Sequence, residues 1–266
     1  MPGLYDHQRF CALTGAEIRR FAADVQGADP STPVSTCGGW TLRDLIHHAG
    51  LIQRWTAGMV AVCSREPHSR KAADWPLPPD PGAYADWLGE GERLLVPVLA
   101  AADPDAGMWA WGADQHVRFW SRRMAHETAV HRVDAELALG LDPWVDPAVA
   151  VDGVGEFLEN LPRARVWARD VGKLRGDGEL IRLVATDRPD EWTIRLVERG
   201  FEWSHGTPGP DGDGEGPHPV GRSVTARASA DDLYLMVWGR RKVTDPRFEV
   251  TGDSDLLAHW QQNSPI

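Results

Sequence analysis

His48 on one segment, and Glu127 with His131 on another, are three metal-binding side chains that helical phasing turns toward apolar faces. From Trp40 onward, Leu42, Leu45, Ala49, Ile52, Thr56 and Met59 recur as one stripe, with His48 at its edge and His47 nearly opposite. His48 is therefore expected to face inward and His47 to face solvent. In the later segment one face collects Trp120, Met124, Glu127, His131, Asp134 and Ala138, and Glu127 lies one turn before His131. A carboxylate and two imidazoles are costly to bury without compensation, and a bound divalent cation supplies it. Three protein ligands with positions left vacant make a catalytic metal site, because a structural site closes its shell with four.

Two plainer readings stand beside this one. An inward histidine is commonly a hydrogen-bonded core residue, and Glu127 with His131 has the spacing of an ordinary ion pair. The zinc-protease motif is excluded, because His126 and His131 are one residue too far apart and diverge by about 140° around the helix. Asp134, one turn beyond His131, either accepts the imidazole's second N–H and so orients it, or pairs with a neighbour such as Arg132.

The elements that must position these residues are legible in outline. The register of the His48 helix is pinned by Thr41 as N-cap with Asp44 three residues on, and by Trp40 and Leu45 at the positions of a hydrophobic staple. Helices are expected at about 8–27, 41–64, 82–102 and 115–140, with a Pro-rich crossover at about 65–81 and a stop at Gly140. The texture then changes. A helix at about 147–161, strands in Glu179–Thr186, Glu191–Val197 and Ser223–Ala228, a helix over Ala230–Arg240, a strand at Phe248–Thr251 and a last helix at Ser254–Gln261 indicate a separate α+β domain. The domains expected are 1–145 and 146–266. Gly206–Pro219 is too poor in apolar groups to pack and is expected to be a mobile loop flanked by solvated His205 and His218.

A formal charge of -11 over 266 residues argues against nucleic acid or an anionic membrane as partner. No apolar run approaches the roughly 18 residues that cross a bilayer, and the N-terminus lacks the basic and apolar regions of a signal peptide, so a soluble cytoplasmic protein is expected. No stripe demands a second copy. Cys11, Cys37 and Cys63 are too few and scattered for a disulfide framework. Cys37 precedes a helix N-terminus that can lower a thiol pKa, although an ordinary loop thiol is the simpler reading.

Three runs together resemble the mycothiol-dependent maleylpyruvate isomerase-like family. They are Trp40–Gly50, Glu127–Ala135, and Asp232–Arg240 followed by Val250–Asp253. The resemblance implies a DinB-like four-helix bundle followed by a small sterol-carrier-like α+β domain. It implies a divalent metal, usually zinc, on His48, Glu127 and His131, an arginine from the second domain best matched by Arg240, and mycothiol as cosubstrate. The expected activity is thiolate addition to a small electrophile, ending in thiol transfer or cis-trans isomerisation. Arg240 would hold a carboxylate on the acceptor, or else cap its own helix. A metal-dependent hydrolase and a non-catalytic ligand-binding protein are the competing readings.

Overall fold

The computed structural model describes residues 6–71, 74–207 and 221–264. The chain forms two compact units, Met1–Trp144 and Val145–Ile266. The first holds four long helices: α1 (His7–Asp24), α2 (Leu42–Val60), α3 (Tyr84–Ala101) and α4 (Val117–Ala138). Helix α1 packs on α3 and α4, and α2 packs on the same two. The ligand-bearing helices α2 and α4 are therefore neighbours, although a whole helix separates them in sequence.

Local chemistry explains the boundaries. Asp6 caps α1 by accepting from the Arg9 N–H, and Thr41 and Asp44 form a reciprocal capping box at the start of α2. Helix α2 stops sooner than apolar spacing predicts: Cys63 takes a left-handed conformation with φ 44° just beyond it, and the Ser64 N–H bonds back to the Met59 carbonyl. Gly140, at φ 74°, closes α4. The core of the unit is lined by Ile18, Phe21, Leu42, Leu45, Met59, Leu88, Leu95, Leu99 and Val133, each with no exposed surface.

Between α1 and α2 lies a short hairpin, β1 (Pro33–Val34) against β2 (Trp40–Thr41), which sequence periodicity does not announce. Its tip turns through Cys37, Gly38 and Gly39, and the φ of 82° at Gly39 is one that a residue with a side chain rarely adopts.

The second unit begins with α5 (Pro147–Asn160), capped by Asp146, and holds a mixed sheet of order β5-β4-β3-β6-β7. Its strands are β3 (Leu180–Ala185), β4 (Glu191–Val197), β5 (Gly200–Gly206), β6 (Ser223–Ala228) and β7 (Glu249–Gly252). Only the β3–β6 pair is parallel. Helices α6 (Ala230–Val237) and α7 (Ser254–Asn263) complete the unit. The fold is thus a helical bundle followed by a mixed-sheet α+β domain, as the resemblance implies.

Strand β5 corrects the loop expectation, and it moves His205. That histidine stacks on Trp192 at 5.1 Å and bonds Asp190 at 2.8 Å, so it is half-buried on an edge strand and not a solvated loop residue. The remainder of the expected loop, with His218, lies outside the described residues. Helix α6 also ends three residues sooner than expected, because Gly239 turns the chain at φ 75°.

Candidate metal centre

The α2 and α4 faces bring His48, Glu127 and His131 together so that one ligand atom from each lies within 4.8 Å of the others. The Glu127 Oε1 is 3.3 Å from His48 Nε2 and 3.4 Å from His131 Nε2. Two imidazole nitrogens thus aim at one carboxylate oxygen, from rings inclined at 79° to each other. These separations are long for charge-assisted hydrogen bonds, which run about 2.7–2.9 Å. They match the roughly 3.4 Å edge of a tetrahedron whose metal–ligand bonds are about 2.1 Å. The donor set therefore fits a zinc-like divalent cation, and no cation is needed to explain the fold of either helix.

The surroundings fix each donor. His131 Nδ1 donates to Asp134 Oδ2 at 2.9 Å, which leaves Nε2 as the atom directed at Glu127. Arg123, one turn before Glu127 and 4 % exposed at its side chain, stands 3.4 Å from Oε2 and so separates the two carboxylate oxygens by role. Trp40 lies against both imidazoles, with ring centroids 4.9 Å from His48 and 6.4 Å from His131. Cys37 donates its thiol proton to Asp134 Oδ2 at 3.4 Å. His48 and Glu127 keep 30 % and 26 % of their side-chain surface exposed, so the cluster is open on one side to an incoming ligand.

The electrostatics follow from this packing. Burial pushes the His48 imidazole down, offset only in part by the bond to Glu127, so it favours the neutral form that metals bind. Burial works to raise the Glu127 carboxyl, but the bonds from His131 and His48, with the Arg123 charge, hold it well below the usual carboxylate range. Burial likewise works to lower His131, yet Asp134, Cys37 and Glu127 carry it well above the ordinary imidazole value.

Residues outside the cluster fall where other forces place them. His47 is half-buried rather than solvated, with Nε2 bonded to the Trp75 carbonyl at 3.0 Å and its ring 6.0 Å from Trp87. His126 is wholly buried, 6.2 Å from the Phe10 ring and outside the triad. Arg132 meets carboxylates of other residues. It is wholly buried and bridges Glu17 at 2.6 Å and Glu136 at 2.5 Å. Arg240, in the second unit, sits in the turn beyond α6 and donates to the Trp238 carbonyl at 2.6 Å, whereas Arg241 pairs with Asp232. Arg123 and Trp40 are the cluster's unforeseen members. The i, i+4 spacing to Glu127 could have disclosed Arg123, but no spacing rule discloses Trp40.

The family model for the mycothiol maleylpyruvate isomerase N-terminal domain matches residues 11–136, and that for the MDMPI C-terminal domain matches residues 148–259. No curated protein matches the chain. Among solved structures, a mutant of the mycothiol-dependent maleylpyruvate isomerase superposes with a TM-score of 0.60 at 13% identity, covering 94% of each chain. A second structure, of the mycothiol-dependent maleylpyruvate isomerase, superposes at 0.51 and 14% identity over 94% of each chain. At these identities the superpositions speak for the fold.

Proposed function

Because this chain belongs to the mycothiol maleylpyruvate isomerase family through both of its domains, we propose that it is a divalent-metal enzyme that adds a small thiol, mycothiol or a relative, to a small electrophile. The observation that carries the reading is the convergence of His48 Nε2 and His131 Nε2 on Glu127 Oε1, at 3.3 and 3.4 Å, on a partly exposed face of the bundle. His48, Glu127 and His131 would hold the cation, zinc being the ion such a donor set suits.

A divalent cation with an open position deprotonates a coordinated thiol and fixes its sulfur. The chain's own residues do the rest. Asp134 keeps His131 in the tautomer that presents Nε2, and Arg123 holds the far oxygen of Glu127. Trp40 forms an apolar wall over both imidazoles that limits water at the sulfur. The thiolate adds to an electrophilic carbon conjugated to a carbonyl. If the resulting enolate rotates about the former double bond and expels the thiolate, the product is the geometric isomer; if the enolate instead takes up at carbon a proton equivalent to the one the thiol gave up and is released, the reaction is a thiol transfer. Arg240 is assigned to an acceptor carboxylate, for which a planar guanidinium is suited.

The test compares metal-loaded and chelator-stripped protein on an activated alkene, with and without mycothiol. Turnover that needs both metal and thiol is expected. Thiol-independent turnover would favour hydrolysis instead, and no turnover with no retained metal would favour a binding protein.

A further inference from the structure

We propose that Cys37 is a positioning residue of this site: its thiol holds the Asp134 carboxylate, and through it the His131 imidazole, in the orientation that presents Nε2. This rests on the metal reading above and extends it to a residue that neither helix carries.

Asp134 has no exposed surface, and a buried carboxylate must find donors for its oxygens. Oδ2 accepts from two directions, from His131 Nδ1 at 2.9 Å and from Cys37 Sγ at 3.4 Å. One oxygen thus joins a side chain of the hairpin to a side chain of α4. With both donors in place the carboxylate cannot swing without giving one up, and the imidazole that depends on it cannot turn about its own axis. Sulfur is a weak donor, so the contribution is smaller than that of Asp134 itself.

The hairpin fixes where the thiol sits. The Cys37 N–H bonds the Val34 carbonyl at 3.1 Å, the Trp40 N–H bonds the Cys37 carbonyl at 2.9 Å, and β1 packs against α4. Cys37 therefore has a defined place in a tight turn. Three residues on, the same hairpin presses Trp40 onto His48 and His131.

Cys37, His131 and Asp134 also bring ligand atoms within 4.8 Å of one another, which raises the alternative that the thiol is itself a metal ligand. The geometry points away from it. Sγ bonds Oδ2, the oxygen that also holds Nδ1, whereas the atoms of the other cluster meet at Nε2, which faces Glu127.

A double-mutant cycle tests the proposal, with zinc affinity read by competition against a chromogenic chelator for wild type, Cys37→Ala, Cys37→Ser, Asp134→Ala and the Cys37→Ala/Asp134→Ala double variant. Loss of a partner that orients a ligand weakens metal binding about 10- to 100-fold, the effect expected of Asp134→Ala. Cys37→Ala should weaken it by roughly 3- to 10-fold, in keeping with a weaker donor. Cys37→Ser should stay within about twofold of wild type, and the double variant should bind zinc more tightly than the product of the two single effects predicts, since part of the Cys37 effect passes through Asp134. Multiplying effects in the double variant, or a Cys37→Ala affinity equal to wild type, would overturn the proposal. In the metal-free protein the His131 Nδ1–H proton resonance should persist in Cys37→Ser and broaden in Cys37→Ala, and an unchanged resonance in Cys37→Ala would also overturn it. Failure of the wild type to bind zinc would instead bring down the metal reading, and this inference with it.

Discussion

Replacing His48 by alanine separates a metal ligand from a packed histidine, because the two roles predict different heat-stability changes with and without zinc. In the metal-free protein His48 makes one bond to Glu127 at 3.3 Å, lies 4.9 Å from the Trp40 ring and keeps 30 % of its side chain exposed. Losing those contacts costs about 1 kcal/mol, a shift of about 3–4 °C for a unit of this size. Zinc changes the comparison. At a hundredfold excess over its dissociation constant a ligand of the native state stabilises by about 2.7 kcal/mol, or about 8–11 °C. If the variant binds zinc a hundredfold more weakly, the same zinc concentration returns only about 0.4 kcal/mol, under about 2 °C. Scanning calorimetry on the intact chain, with and without zinc, reads both differences. A variant that keeps the full zinc-induced shift would refute the assignment of His48, whatever its metal-free melting point.

Three further perturbations test the fold that holds the cluster. A Cβ built on Gly50 would meet the Trp87 ring at 2.1 Å, so Gly50→Ala should destabilise by about 1–3 kcal/mol through overpacking, despite alanine's better helix propensity, seen as a lower urea midpoint. Arg132→Met leaves Glu17 without its buried cation and Glu136 with Arg20 alone, and should cost about 3 kcal/mol in the same assay, whereas an unchanged midpoint would show the network to be idle. Burial pushes the Cys11 thiol up to about 11, so its alkylation at pH 8 should be negligible until the protein unfolds and should rise with pH toward that value. Peptide mapping after iodoacetamide treatment would show this, and rapid Cys11 labelling in the folded state would contradict it.

The triad and Asp134 were legible because α2 and α4 are regular, so a count of about 100° per residue places each side chain. Arg123 was legible by the same count and overlooked. Trp40 and Cys37 reach the cluster from a hairpin whose strands are two residues each, too short for any periodic signal. His47 defied its phasing because the back of α2 is covered as well, by the carbonyl of Trp75 and the ring of Trp87. Strand β5 carries a strand's alternation, with Phe201, Trp203 and His205 half-buried between exposed Glu202 and Ser204, yet it runs into a glycine-rich stretch that reads as loop. The premise that buried polar residues point to a metal also needs narrowing. Arg132 is as buried as any residue of the bundle and is held by the carboxylates of Glu17 and Glu136 and the Trp144 carbonyl, with no call for a metal. The metal reading is supported by two imidazole nitrogens 3.3 and 3.4 Å from one carboxylate oxygen, all three atoms within 4.8 Å of one another, and burial by itself does not supply it.

X-ray absorption at the zinc edge, on the loaded protein before and after addition of mycothiol, addresses the central claim most directly. The account predicts two imidazoles and a carboxylate at about 2.0–2.2 Å, joined on thiol addition by one sulfur at about 2.3 Å, with the imidazole signal reduced in His48→Ala and His131→Ala. A shell that lacks imidazole, or one that gains no sulfur when the thiol is present, would contradict it.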